Sequence, residues 1–182
     1  MEGGGGFGGD IGFGGGVGSG IYIPTYGVAD EVADPTDGAI DDGDPACCVA
    51  GTLILTDNGY LPIEKIKQGS LVCGWDYMTA DLKEPSFYPV TETFISNTPK
   101  KILMLTTSTG KSLTCSMSHP IWLPEYGTFI PASKIDVGEN IVLYGACLED
   151  IYHDQVTEIN YLLDDQLVYN FTVKEAHTYT AN

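Results

Sequence analysis

The stretch CCVAGTLILTDNGYLPIEKIKQGSLVCG, residues 47–74, decides how the rest of the chain is read. Thr52–Thr56 is a run of β-formers, and Asp57-Asn58-Gly59 behind it is a strong tight-turn signal. Ile63–Lys67 reads as a one-turn helix, and Leu71–Trp75 as a second strand. The segment returns downstream: GYLPIEKIKQGSLVCG (59–74) lines up with the stretch ending in IPASKIDVGENIVLYG (130–145). At a constant offset of 69, Pro62 matches Pro131, Lys65 matches Lys134, Ile66 matches Ile135 and Gly69 matches Gly138. The strands that follow correspond at a slightly shorter offset, Val90-Thr91 with Val156-Thr157 and Ile102–Thr106 with Val168–Thr172. Each Pro-x-x-Lys-Ile-x-x-Gly unit predicts a turn into a short helix, closed by a Gly that can take positive φ. Duplicated halves predict a pseudo-two-fold structure in which each half supplies strands to one core.

Outward from that stretch the same texture continues. Strands are expected at Val90–Ser96, Lys101–Thr107, Ser112–Cys115, Ile141–Tyr144, Gln155–Leu162, Leu167–Val173 and His177–Ala181, with a further one-turn helix at Ala132–Asp136. The fold class is therefore all-β. Upstream of Cys47 the composition is different. Of 23 glycines in the chain, 15 precede Cys47, and an acidic, Pro-containing stretch leads into it. Gly-rich chain loses much entropy on ordering and buries little, so residues 1–46 are expected to be a flexible segment and residues 47–182 the folded domain.

The chain has 25 acidic against 8 basic residues, no Arg, and a formal charge of −17. That balance argues against nucleic acid and anionic membranes, because affinity for phosphates comes from Lys and Arg that neutralise them. Neither a secretory signal nor a run of about 20 apolar residues is evident. Five irregularly spaced cysteines, Cys47, Cys48, Cys73, Cys115 and Cys147, are not a disulfide framework, and no CxxC pair suggests zinc. Cys115 and His119 at i and i+4 are a weak metal signal without further ligands. Neither a metal nor a cofactor is expected.

Three elements can carry chemistry. A thiol at the junction of tail and domain, Cys47, can attack the carbonyl before it and turn a peptide bond into a thioester. Alone, Cys47-Cys48 would more often be small buried apolar residues. In Thr114-Cys115-Ser116-Met117-Ser118-His119-Pro120, His119 can transfer a proton and Ser116 can hold a distorted amide. On spacing alone, His119 would be a core or turn histidine ahead of a proline. Val168–Tyr179 holds a strand, a charged turn and His177, which by itself is equally well structural. His153 sits in a polar stretch and is expected at the solvated surface.

Order and combination are more specific than any one element. CCVAGTLILTDNGYLPIEKIKQGSLV resembles the opening block of Hedgehog/intein (Hint) domains, with Thr52 five residues after the cysteine that aligns as nucleophile, Cys47. SLTCSMSHPIWL is similar to the block carrying Thr-x-x-His, with Ser116 in place of Thr. VYNFTVKEAHTYTAN looks like the late block of bacterial intein-like domains, with Asn170 where many members have Asp. The resemblance covers about residues 47–182 and implies a horseshoe-like β-fold with two-fold related halves. It implies autoprocessing: an N-to-S acyl shift at Ala46-Cys47 and cleavage there. Cys47 would be the nucleophile, Ser116 and His119 would assist, and His177 would act in a second step or in positioning. The substrate would be the chain's own N-terminal segment, and the acceptor water or a small thiol. The usual closing strand ending in His-Asn is not found after His177, where the sequence stops at Asn182. Splicing within a longer precursor, or an inactive module in a binding or structural protein, stays open as an alternative, and a cysteine hydrolase acting in trans is the remotest.

Overall fold

The β-branched and aromatic runs do form strands, and the turn residues between them set the register. The computed structural model describes residues 20–24, 46–75, 85–97, 100–144, 151–164, 166–176 and 178–181. In chain order the strands of these residues are β1 (Gly20–Pro24), β2 (Cys48–Val49), β3 (Leu53–Thr56), β4 (Gly59–Pro62), β5 (Leu71–Gly74), β6 (Ser86–Ser96) and β7 (Lys100–Thr107). They continue as β8 (Ser112–Ser116), β9 (Pro120–Leu123), β10 (Thr128–Pro131), β11 (Asn140–Tyr144), β12 (Ile151–Asp164), β13 (Val168–Val173) and β14 (Thr178–Ala181). Short 3-10 turns at Ile63–Lys65 and Ala132–Lys134 are the only helical elements among the described residues.

Twelve strands form one sheet in the order β14-β1-β11-β12-β7-β8-β2-β13-β6-β5-β3-β4, and β9 and β10 form a separate hairpin. Because β14 also pairs with β3, through Ala181 and Ile54, the sheet closes on itself. Closure removes most free strand edges, which are otherwise sites for unwanted pairing. Its interior is the main core, with Ile54, Leu103, Leu113, Ile121, Val156 and Phe171 buried together.

The repeat read from the sequence holds down to single hydrogen bonds. Pro62 and Pro131 enter the two 3-10 turns at nearly the same dihedrals, φ −59°, ψ 140° and φ −55°, ψ 136°. Each turn ends at its Ile, whose amide donates to the first turn residue, and each closing Gly has positive φ, 86° at Gly69 and 106° at Gly138. Gly69 N–H donates to Val90 O and Gly138 N–H to Val156 O, both at 2.8 Å. Strands β2–β7 thus repeat as β8–β13. Partners are exchanged between the halves: β6 pairs with β13 of the other half, and its counterpart β12 pairs with β7. Where β2 meets its own counterpart β8, Cys48 faces Cys115. A residue paired with its own repeat mate marks the pseudo-two-fold axis.

Most expected strands appear within a few residues of their predicted bounds. Within residues 47–182 four are additional, β2, β4, β9 and β10, each four residues or fewer. One departure concerns the segment expected to be flexible. Gly20–Pro24 forms β1, paired antiparallel with both β11 and β14. Residues 1–19 and 25–45 lie outside the described residues.

Candidate functional site

The axis strand β2 has two residues, each paired to a neighbouring strand. Cys48 is flanked by Cys115 of β8 and Tyr169 of β13, and Val49 pairs with Val168. Cys47, one residue before, is buried with Ile102 and Val168. Its amide donates to Ser116 Oγ at 3.0 Å, and its carbonyl accepts from Ser116 N–H at 2.8 Å. The carbonyl of Ala46 accepts from Asn170 Nδ2 at 2.6 Å. Asn170 Oδ1 in turn accepts from Phe171 N–H at 2.8 Å, so the side-chain amide can present only its NH2 to Ala46. The Ala46–Cys47 peptide bond is therefore held at both ends, the oxygen by Asn170 and the nitrogen by Ser116.

His119 is placed by the turn that follows β8. Its amide donates to Ser116 O at 3.0 Å, and its carbonyl accepts from Ala132 N–H at 2.8 Å. The first half builds the same turn around Thr52, whose amide donates to Val49 O at 3.3 Å and whose carbonyl accepts from Ile63 N–H at 2.7 Å. His119 thus occupies the counterpart of the Thr52 position. The residue is wholly buried, and burial lowers its pKa to about 3, so the imidazole is neutral. Its Nε2 lies 3.9 Å from Cys48 Sγ. Its Nδ1 is buried with no hydrogen-bond partner among the described residues. A buried orphan of this kind is uncommon and needs an explanation.

Cys48 Sγ lies 3.6 Å from Tyr179 Oη. Desolvation raises its pKa to about 12; the Tyr179 hydrogen bond acts against this and nearby Cys47 adds to it. Burial, with Cys48 beside it, also pushes Cys115 well above the usual thiol range. Both axis thiols stay protonated at neutral pH, and a protonated thiol is a poor nucleophile.

Of the residues singled out from sequence, Cys47 lies just ahead of β2, Ser116 ends β8, and His119 lies in the turn after β8. His177 lies outside the described residues, between Ala176 and Thr178, which are placed, as do Cys147 and Asn182. His153 is exposed on β12. Two further residues contact these groups and lie outside the set singled out from sequence. Asn170, which holds the carbonyl of Ala46, stands out in the sequence only as the Asn where many members have Asp. Tyr179, beside Cys48 Sγ, carries no signal in the sequence. Among the described residues no group of three or more His, Cys, Asp or Glu could hold a metal ion, and no helix is long and apolar enough to cross a membrane.

Comparison with known proteins places this arrangement in context. The sequence matches the pretoxin HINT domain family over residues 53–182. The structure resembles the solution structure of a bacterial intein-like domain from Clostridium thermocellum, with 31% identity and a TM-score of 0.63, covering 74% of this chain and 91% of that one. It also resembles a DnaB intein from Synechocystis at 16% identity, covering 75% of this chain and 99% of that one with a TM-score of 0.63. A DnaX mini intein from Spirulina platensis gives 19% identity, a TM-score of 0.60, and coverage of 75% and 95%. No match to a curated protein is found.

Proposed function

The chain belongs to the pretoxin HINT domain family, and from that premise we propose that it cleaves its own backbone at Ala46–Cys47 through a thioester on Cys47. The fold supports self-processing or splicing-type activity in general. The double grip on the Ala46–Cys47 bond is the observation that carries the specific reading. Cys47 Sγ, as thiolate, attacks the carbonyl carbon of Ala46. The oxygen that gains charge is the one already held by Asn170 Nδ2 at 2.6 Å, so a side-chain donor is aimed at it before the attack.

The C–N bond then breaks and its electron pair passes to Cys47 N. That nitrogen takes the proton the thiol gave up, leaving a thioester and a free amine. His119 carries the proton. Its neutral ring keeps a nitrogen lone pair, Nε2 lies 3.9 Å from Cys48 Sγ, and Nδ1 has no hydrogen-bond partner among the described residues. A buried imidazolium is unstable, so it passes the proton on to the departing amine. Ser116 Oγ fixes the plane of the scissile amide through its N–H. Water then attacks the thioester, giving the Ala46 carboxylate and the Cys47 thiol; a small thiol does the same by exchange.

Mass spectrometry of the denatured chain, incubated with and without dithiothreitol, tests this. Separation of residues 1–46 from 47–182, lost in Cys47→Ala and kept in Cys48→Ala, is expected. A chain that stays whole in every condition overturns the reading, and loss of cleavage in Cys48→Ala alone moves the nucleophile.

A further inference from the structure

Strand β1 belongs to the segment upstream of the scissile bond, yet it is an internal strand of the sheet. It pairs with β11 through Gly20 and Ile21, and with β14 through Ile21 to Pro24. The pseudo-symmetry explains why a strand fits there. In the first half β14 lies along β3 and β5, pairing with β3 at Ile54. The counterparts of β3 and β5 are β9 and β11, and β1 is the strand that lies along them. Strands β1 and β14 thus occupy equivalent places and meet each other antiparallel. Removing β1 leaves unpaired edges on β14 and β11 and breaks the ring that the sheet otherwise closes. Unpaired backbone N–H and C=O groups are costly wherever water does not replace the partner.

We propose that the segment ahead of the cut is bound by the domain as a strand, so that cleavage at Ala46–Cys47 yields a nicked two-chain complex rather than a free N-terminal piece. This rests on the acyl-shift reading for the cut alone; the docking of β1 does not depend on it. Strand addition of this kind derives its affinity from main-chain hydrogen bonds on both sides of the inserted strand. Both tryptophans of the chain pack in one cluster that includes residues of β11, a strand bordering the slot. Trp75 and Trp122 pack with Phe129, Val142 and Tyr144, a cluster carried largely by β9, β10 and β11.

Two arms separate this idea from the cleavage itself. In the first, chain shown by denaturing mass to be fully cut is run on native size exclusion and native mass spectrometry. Co-migration of residues 1–46 with 47–182 is expected, and their separation under native conditions overturns the proposal. The second arm uses uncut Cys47→Ala chain, so it gives an answer even if cleavage never occurs. Hydrogen exchange at Ile21–Ile23, Leu143 and Thr178–Ala181 should be slowed at least 10-fold relative to unstructured chain. Tyr22→Pro, which puts a residue poorly tolerated in an internal strand at the centre of the register with β14, should restore fast exchange there and shift tryptophan emission to the red. Unstructured exchange rates at Ile21–Ile23 in Cys47→Ala, without any further substitution, overturn the proposal.

Discussion

Replacing Asn170 by Ala removes the donor on the oxygen of Ala46 and leaves the nucleophile, His119 and Ser116 in place. In the resting chain the contact is a neutral hydrogen bond, worth about 1 kcal/mol net. On attack the oxygen becomes anionic, and a donor aimed at it from a site with little water is worth more. Loss of one such donor typically costs about 10²–10³ in rate, roughly 2.7–4 kcal/mol. Asn170 meets the conditions for the larger figure. Its residue is 7% exposed, the contact is 2.6 Å, and Phe171 N–H on Oδ1 keeps the amide from flipping. The expected result is dithiothreitol-dependent cleavage slowed about 100-fold or more, read as the first-order loss of full-length mass.

Stability must be separated from rate. Asn170→Ala also leaves Phe171 N–H without its acceptor, at about 1–3 kcal/mol of folding stability. Thermal melts of the variant therefore set the temperature for the kinetics, well below its transition. Asn170→Asp is the sharper comparison, because it keeps the acceptor for Phe171 and replaces the donor with a negative charge facing a carbonyl oxygen. It should be at least as slow as Asn170→Ala above its carboxyl titration, and recover in part as the carboxyl protonates. Cleavage of Asn170→Ala at the native rate, or of ionised Asn170→Asp as fast as native, would refute the assignment of Asn170 as the oxyanion donor.

The other expectations follow from contacts of similar definition. Ser116→Thr keeps the hydroxyl that accepts the Cys47 amide and should cleave within a few-fold of native, whereas Ser116→Ala should lose about 10-fold or more in the same assay. His119 has a folded pKa of about 3 against about 6.5 when unfolded, so its contribution to stability is complete above about pH 6.5 and is lost as pH falls toward 3. Between pH 7 and pH 4.5 that is about 3 kcal/mol, to be measured by urea unfolding and absent from His119→Gln. The interval lies above the range in which Asp154 titrates: desolvation raises its pKa, but hydrogen bonds from Ser108, Thr107 and Thr109 outweigh this and hold it at about 2. Gly74→Ala places a Cβ 2.3 Å from the carbonyl oxygen of Thr178, where β5 and β14 are also joined through Trp75 and Thr178 Oγ1. Since that contact is backbone, the variant should lose about 2 kcal/mol or more and melt several degrees lower.

How much of this was readable before the structure depends on the range of the interaction that decides each feature. The longer strands were legible because Val, Ile and Thr cluster in them and Gly, Asn or Pro end them. β4 and β10 were not, since each is four residues long, ends in Pro and is carried by a hairpin partner more than by its own propensity. The repeat of Pro62 with Pro131 and Gly69 with Gly138 was visible as letters, and it does correspond to equal turns. It could not say that β6 and β12 would exchange partners, because equivalence within a chain does not specify which copy a strand pairs with. β1 was hidden by its setting: only three ordinary strand residues, Ile21–Ile23, stand between Gly20 and Pro24 after a Gly-rich run, and their order comes from two edges more than 100 residues away. Asn170 was visible as a departure from Asp, but its role depends on the carbonyl of Ala46 being opposite it, which only the fold arranges.

The pseudo-symmetry also explains why the candidate reaction sits at the axis and runs in one direction. Both halves build the same turn, and both bring their first strand to the axis, where Cys48 meets Cys115. They then differ at the positions that matter. Val49 of the first half stands where Ser116 stands in the second, and Thr52 stands where His119 stands. In the proposed reaction the first half therefore supplies the bond to be cut and no proton-transfer group, while the second supplies the hydroxyl and the imidazole. The asymmetry has a further source upstream. The residues before Cys115 continue β8 back along β7, whereas Ala46 and Cys47 are bound by Asn170 and Ser116. A peptide bond fixed by side-chain groups, rather than by a ladder on both sides, can change geometry at its carbon without dismantling a sheet. In a fold whose backbone is otherwise committed to strand pairing, the entry to the axis strand is where an acyl shift disturbs the least structure.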